Sequence, residues 1–393
     1  MFYQKRMPHR SLPILCIILL SGVLLSSCSF NVPVLQQKQT KTITDPTNQQ
    51  IQSQTFSLQP IPENTTFQQA YDDTNDELTQ FSSAVQLMQK DGIDTTTYQQ
   101  QLSTDQTSLQ AATSVTAINA VMTQINTQLT PEDFTTAQTL AKYLVQQFHQ
   151  EVTSWGDNHQ FKDSYNGQSY PLDFEYDSLP QYYTTYHYGE GSLLDMNLAN
   201  AATVADYQNV ISEAVNDQEL LQAMEDDAQD TTPWNQPHAT DTRLMQYYQT
   251  SGMVIVVSFY EQALRLYDNG KLIKSFQVVT GQYYRPTIVG YYQIESHSAS
   301  TEFISFEDPS SPLYFPTTLI YWAMGFSNPA DGYFLHSSPW RTYYGANKEF
   351  PHYDPIDQNT ESRDGSHGCI NLPLNDEEWL YNTVPNSTPL ITY

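Results

Sequence analysis

At 393 residues the chain exceeds one ordinary domain, which points to two folded units plus tails. Lysine and arginine number 16 against 43 aspartate and glutamate; the net charge of -27, with no basic stripe, excludes nucleic-acid binding through phosphate neutralisation. A hydrophobic fraction of 39% with 28 Tyr, 17 Phe and 5 Trp is too aromatic for a wholly disordered chain.

Lys5, Arg6 and Arg10 precede an apolar run from Leu12 to Leu25, of signal-peptide length and short for a membrane span. The run ends in Leu25-Ser26-Ser27-Cys28, which resembles a bacterial lipobox, where the thiol after the small residues is diacylglycerylated. An uncleaved anchor or a buried strand is the alternative. Residues 1–27 are read as a lipoprotein signal peptide and Cys28 as the lipidated residue, held at a membrane by about 0.8 kcal/mol per buried methylene. Cleavage discards Cys16, so Cys369 is left as the free thiol and no intrachain disulfide can form.

Residues 28–64, rich in Gln, Thr, Ser, Asn and Pro, read as a disordered tether. From Thr65 the period becomes helical. Phe67, Tyr71, Leu78, Phe81, Val85 and Met88 recur at steps of three, four and seven, and Gly92 follows as a C-terminal cap. Further runs are Tyr98, Leu102 and Leu109, then Ile118, Met122, Ile125 and Leu129. Thr130-Pro131-Glu132-Asp133 has the form of an N-cap, a first-turn proline and two acids, opening a helix with Phe134, Leu140, Leu144 and Phe148. Another helix is expected over Thr203 to Ala228. These stripes could line a cleft, but apolar residues at helical spacing are ordinarily core, and no site is assigned to them. Residues 155–195 are aromatic and irregular; Tyr182, Tyr183, Tyr186 and Tyr188 could stack on sugars, though packing is the simpler role. Residues 65–232 are taken as a helical spacer, with a turn-rich break at 231–237.

Beyond Met245 the pattern is strand-like. Met253 to Ser258 is β-branched, and Ala263 to Tyr267 alternates. Asp268-Asn269-Gly270 is a hairpin turn, completed by Lys274 to Val279. Gly290 to Glu295, Thr318 to Ala323 and Tyr333 to His336 are further strand candidates, so residues 245–393 form a mostly-β unit.

Ser366-His367-Gly368-Cys369-Ile370-Asn371 sets the lone thiol beside a histidine and a glycine. Thiolate is the reactive form, and an imidazole or backbone donors lower a thiol from its usual pKa of about 8.5. Gly368 admits a carbonyl close to backbone N–H groups that could stabilise an oxyanion. An inert cysteine on a buried strand is the competing reading. His336, at the end of an apolar strand in His336-Ser337-Ser338-Pro339-Trp340, favours acyl transfer.

These residues resemble the active-site region of the L,D-transpeptidase (YkuD-like) catalytic domain, whose signature is a histidine, a loop and Ser/Thr-His-Gly-Cys. The resemblance extends to the hairpin Ala263 to Gly281 and to Pro286-Thr287-Ile288-Val289-Gly290, over roughly residues 250 to 393. It implies a multidomain α plus β chain, with an N-terminal helical domain and a C-terminal mostly-β YkuD-like sandwich or barrel catalytic domain. It also implies peptidoglycan cross-linking through a cysteine thioester on a stem tetrapeptide. Cys369 would be the nucleophile and His336 the base, with Ser337 orienting the imidazole. His367, Gly368 and Cys369 would supply oxyanion donors, and Ser366 and Asn371 would position substrate, with Trp340 and Tyr321 shaping the cleft.

Many members carry Arg at the position of Asn371. The 29 residues between His336 and Ser366 are about twice the family's usual number and hold His352, the alternative base. No cofactor is implied. No metal set is read, since His149, His159, His187 and His238 lack paired ligand spacing, and no Gly-x-Ser-x-Gly turn supports Ser-His-Asp hydrolysis. Implied partners are peptidoglycan stem peptides and, through lipid, a membrane, in an extracytoplasmic setting facing the wall. Water or a protein amine could resolve the same thioester, giving an L,D-carboxypeptidase or a protein-anchoring enzyme. A wall-binding lipoprotein without turnover is the other class. Oligomeric state stays open.

Overall fold

The computed structural model describes residues 65–90, 92, 94–128, 131, 134–177, 189–305, 308–310, 314–327, 332–354 and 364–393. The signal peptide, Cys28, the tether, most of the Thr130 to Asp133 cap, the Tyr182 to Tyr188 cluster and His187 lie outside the described residues.

Apolar residues at helical spacing form α1 (Phe67–Lys90), α2 (Thr96–Ala111), α3 (Val115–Gln128) and α4 (Phe134–Asn158). Leu78, Phe81, Val85, Leu109, Ile118 and Ile125 of the first three helices enclose one core, each side chain gaining about 1.5–3 kcal/mol by leaving water. A short antiparallel hairpin follows, β1 (Gln160–Lys162) and β2 (Ser169–Pro171), then α5 (Glu190–Asn200), α6 (Val204–Gln229) and α7 (Ala239–Tyr247). At the start of α6, Thr203 Oγ1 accepts from the Asp206 N–H at 3.2 Å and Asp206 Oδ2 accepts from the Thr203 N–H at 2.8 Å, closing a capping box. No described helix is long and apolar enough to cross a membrane.

The strands are β3 (Met253–Ser258), β4 (Ala263–Asp268), β5 (Lys271–Gln277), β6 (Gly290–Phe303), β7 (Thr318–Phe326), β8 (Phe334–Ser337), β9 (Ile370–Leu372) and β10 (Pro389–Thr392), with α8 (Leu374–Thr383) before the last. Asn269 and Gly270 take positive φ of 49° and 74°, the conformation a two-residue hairpin loop requires. The eight strands run β5-β4-β3-β10-β6-β7-β8-β9, with β10 parallel to β3 and β8 parallel to β9.

The two ends of this sheet meet. Val279, just past β5, exchanges backbone hydrogen bonds with Asn371 on β9 at 2.8 and 3.0 Å, and Thr280 O accepts from the Ser366 N–H at 2.8 Å, so the sheet curls toward closure. One hydrophobic core runs without a break from Phe148, Leu220 and Met224 of the helices to Ile255, Leu266, Leu335 and Ile391 of the sheet.

Candidate active site

Parallel neighbours need a long crossover, and the connection from β8 to β9 carries the chain from Ser338 to Cys369. In the β8/β9 register His336 lies opposite Asn371, and Leu335 opposite Ile370. Because alternate residues share a face, His336 and Asn371 lie on one side of the sheet while Leu335, Ile370 and Leu372 fill the other, and Cys369 stands directly before β9.

His336 is 4% exposed. Its Nδ1 lies 2.8 Å from the Ser337 carbonyl, and its Nε2 lies 2.9 Å from Nδ2 of Asn371. Burial is the main cause that lowers its pKa to about 4; the nearby Arg341 charge acts in the same direction, and the backbone bond to Ser337 opposes both. The rings of Phe303 and Trp340 stand 5.2 and 6.1 Å away.

Cys369 departs from the expectation of a thiol eased toward thiolate. Its Sγ–H points to the Gly332 carbonyl at 3.6 Å, and burial pushes the thiol up to about 12, opposed only in part by a backbone bond from Phe334. The resting sulfur is therefore protonated. Its partners are backbone groups, and the His336 imidazole is occupied by Asn371 and Ser337.

Three other assignments shift. Asn371, expected at the substrate, is 1% exposed and joins Arg341 Nε, at 2.8 Å from its Oδ1, to His336. Ser366, also expected at the substrate, folds its hydroxyl inward: Oγ donates to the Cys369 carbonyl at 2.5 Å and accepts from the Gly368 N–H at 3.0 Å. Because the Gly368 N–H is engaged, it is not the ready oxyanion donor the motif implied. The physical reason is the same in each case: polar side chains this deeply buried are satisfied by the protein itself. His367 is half-buried with its ring 5.0 Å from Phe315. Ser337 meets the imidazole through its carbonyl, while its hydroxyl donates to the Tyr321 carbonyl at 2.9 Å. The Tyr321 side chain is exposed, and Trp340 Nε1 is buried without a hydrogen-bond partner. The described contacts of His352 stay in its own loop, with the Phe350 carbonyl at 2.8 Å and the Tyr343 ring at 6.4 Å.

Sequence reading missed Thr287 and Arg341. Thr287 Oγ1 accepts from the Gly281 N–H and donates to the Gly368 carbonyl, both at 2.9 Å, which ties the Pro286-Thr287 segment to the thiol turn. A signal existed for Thr287, which lies in the family-like run. None existed for Arg341. Gly368 has φ +109°, and a Cβ built there would lie 2.7 Å from Cε1 of Tyr333. Gly368→Ala is therefore expected to cost about 2 kcal/mol or more, combining a left-handed backbone with an overlap. Chemical denaturation checks this, and a loss under about 0.5 kcal/mol would contradict the close approach.

Asp227, His238 and Glu261 converge although their spacing gave no sign of it, because they come from the end of α6, the cap of α7 and the turn after β3. His238 Nδ1 pairs with Asp227 at 2.9 Å, and the Arg265 guanidinium contacts Glu261, so these carboxylates already have partners within the protein.

Residues 252–391 match the family model described as the L,D-transpeptidase catalytic domain, YkuD. Among solved structures, an Enterococcus faecium L,D-transpeptidase C442S mutant is 20% identical, with 36% of this chain and 50% of that one covered and a TM-score of 0.30. An L,D-transpeptidase from Mycobacterium smegmatis is 18% identical, with coverage of 36% and 59% and a TM-score of 0.29. The catalytic domain of the E. faecium L,D-transpeptidase is 22% identical, with coverage of 37% and 98% and a TM-score of 0.29. The chain thus spans between half and three fifths of the two longer relatives. No curated protein matches.

Proposed function

We propose, from the premise that residues 252–391 are an L,D-transpeptidase catalytic domain of the YkuD family, that this chain cross-links peptidoglycan stem peptides through a thioester on Cys369. The observation that supports the reading is that Cys369, directly before β9, and His336, on the neighbouring parallel strand β8, both fall inside the matched domain.

In the reaction the thiol leaves the Gly332 carbonyl and passes its proton to His336, whose ring lone pair exchanges the Asn371 N–H for the thiol proton. Sulfur attacks the carbonyl after the third residue of a stem tetrapeptide, and the Cys369 N–H, at the head of β9, receives the developing oxyanion. The C–N bond breaks as the imidazolium returns its proton to the departing D-alanine amine. The amine of a second stem then attacks the thioester, giving up its proton through His336 and releasing the thiol. His336 is preferred to His352 because the latter's described contacts are confined to its own loop. Residues 28–64 and a lipid on Cys28 would hold the enzyme at a membrane facing the wall. The same acyl-enzyme met by water or by a protein amine would give a carboxypeptidase or an anchoring enzyme.

A second reading, a wall-binding lipoprotein without turnover, draws on the buried, protonated thiol. Incubation with a disaccharide-tetrapeptide and with a carbapenem, followed by intact mass measurement, separates the two. An acyl adduct is expected on the wild type and absent from Cys369→Ala, and His336→Ala is expected to acylate about 100-fold or more slowly. Equal masses for wild type and Cys369→Ala would leave the binding reading, and loss of acylation in His352→Ala but not in His336→Ala would move the base to His352.

A further inference from the structure

The connection between His336 and Ser366 is long, and the fold gives its length a use. Phe350, 1% exposed, sits among Phe161, Tyr170 and Phe174 of the β1–β2 hairpin region, with ring centroids 4.9, 5.2 and 5.7 Å away. The Gly365 N–H donates to the Glu349 carbonyl at 2.9 Å, which ties the middle of the connection to its far end. Ahead of these points Arg341, 6% exposed, is held by contacts that include its backbone N–H to the Ser338 carbonyl at 3.0 Å, its Nη1 to the Asp364 carbonyl, and its Nε to Asn371.

Donor and acceptor rules then fix every proton in a row. A guanidinium only donates, so the Asn371 atom facing it is the amide oxygen. The other amide atom is therefore N–H, and it faces a ring nitrogen of His336 at 2.9 Å, which has to present a lone pair. The ring proton sits on the other nitrogen, where the Ser337 carbonyl accepts it at 2.8 Å. We infer that Arg341 is a positioning residue for the His336 imidazole, fixing the Asn371 amide and through it the neutral ring tautomer protonated on Nδ1. This rests on the reading of His336 as the base.

The consequence is a base kept free of its proton in acid. An imidazolium would set a second N–H against the Asn371 amide, and the Arg341 charge adds to the penalty of burial. Among the described residues, the other groups against the ring bring no opposite charge: Phe303 from β6, Trp340 from the turn after β8 and Asn371 from β9. Without Arg341 the amide can turn over and offer its oxygen, which favours a protonated ring. The folded-state pKa of the ring then rises, and activity that needs the unprotonated base is lost at a higher pH.

The test uses the full mature chain with 15N-labelled histidine. The His336 signals, identified by their loss in His336→Gln, report tautomer and titration, and the pH profile of carbapenem acylation is measured in parallel. The wild type should show the Nδ1–H tautomer, with protonation only in strong acid. Arg341→Met should mix the tautomers, raise the midpoint by about one pH unit or more and shift the acid limb of acylation upward with it. Arg341→Lys, which keeps one donor for Asn371, should fall between. Asn371→Asp, which presents only acceptors to Nε2 while the Ser337 carbonyl still accepts from Nδ1, should favour protons on both ring nitrogens and raise the midpoint even if Arg341→Met fails to fold. Wild-type tautomer and midpoint in a folded Arg341→Met, or in Asn371→Asp, would overturn the inference. Acylation that survives in His336→Gln would count against the base reading alone, because the tautomer is read from the ring itself.

Discussion

Arg265→Met is expected to cost about 3 to 5 kcal/mol of stability, with a melting temperature lower by roughly 10 °C. The Arg265 side chain is fully buried and contacts Asp241 through two nitrogens, Nε at 2.5 Å and Nη2 at 3.0 Å. Nη1 reaches Glu261 and, at 3.1 Å, the Trp234 carbonyl. The hydroxyls of Tyr267 and Tyr393 donate to the same Asp241 carboxylate at 2.5 and 2.8 Å. One guanidinium thus ties together α7, the turn after β3, β4 and the last residue of the chain. Removing it leaves two carboxylates out of water without their cation, and desolvated unpaired charge is what makes such a loss large. Urea denaturation measures the cost. Arg265→Met combined with Asp241→Leu should recover part of it, and a loss below about 1 kcal/mol in the single variant would show that water reaches the network.

The second large effect is a stability that declines as pH rises from 5 to 8. Asp173 and Glu349 are each pushed up to about 8 by burial, and Asp364 and Glu225 to about 7, also chiefly by burial. Glu175, Glu190 and Asp217 are raised as well, for the same first cause. One oxygen each of Asp173, Glu225 and Glu349 is buried with no hydrogen-bond partner, which a neutral carboxyl tolerates better than a carboxylate. Each of these groups binds its proton more tightly folded than unfolded. Their stabilisation is complete below the unfolded pKa near 4 and is lost as pH climbs through the folded values toward 8. Asp206 and Asp230, lowered mainly by backbone hydrogen bonds, work the other way below about pH 4 from partly exposed positions, where solvent weakens the effect. Calorimetry at constant ionic strength should show a melting temperature lower by roughly 10 °C at pH 8 than at pH 5, with a shallower slope in Asp173→Asn. A flat or rising profile would mean that these carboxyls are hydrated.

Much of this architecture could be read locally. The steps of three and four from Phe67 to Met88 became α1, and Asp268-Asn269-Gly270 became the β4–β5 turn, because backbone preferences of adjacent residues decide both. β10 was not anticipated: Pro389 to Thr392 is a short apolar run whose strand identity comes from β3 on one side and β6 on the other. The β1–β2 hairpin escaped notice for a like reason, since its Phe161 and Tyr170 acquire meaning only when Phe350 arrives between them. At the candidate site, the thiol, the two histidines and the glycine stood out by residue type. The Arg341 to Asn371 link joins positions 30 apart that no periodicity connects, and it depends on a parallel pairing that sequence does not announce.

The unbroken core between helices and sheet bears on how this molecule could be dissected. A cut in the turn at 231–237 would strip Leu220 and Met224 away from Leu244 and Ile255, break the 2.6 Å bond from Ser258 to Asp227 and part the stacked rings of Tyr248 and Tyr291 only if it fell farther on. The liberated C-terminal piece would carry a raw greasy flank and the Arg243 guanidinium without the Glu219 and Asp226 carboxylates that it pairs with. Recombinant fragments trimmed to the catalytic boundaries should therefore clump, whereas the longer polypeptide beginning near residue 65 should stay dispersed.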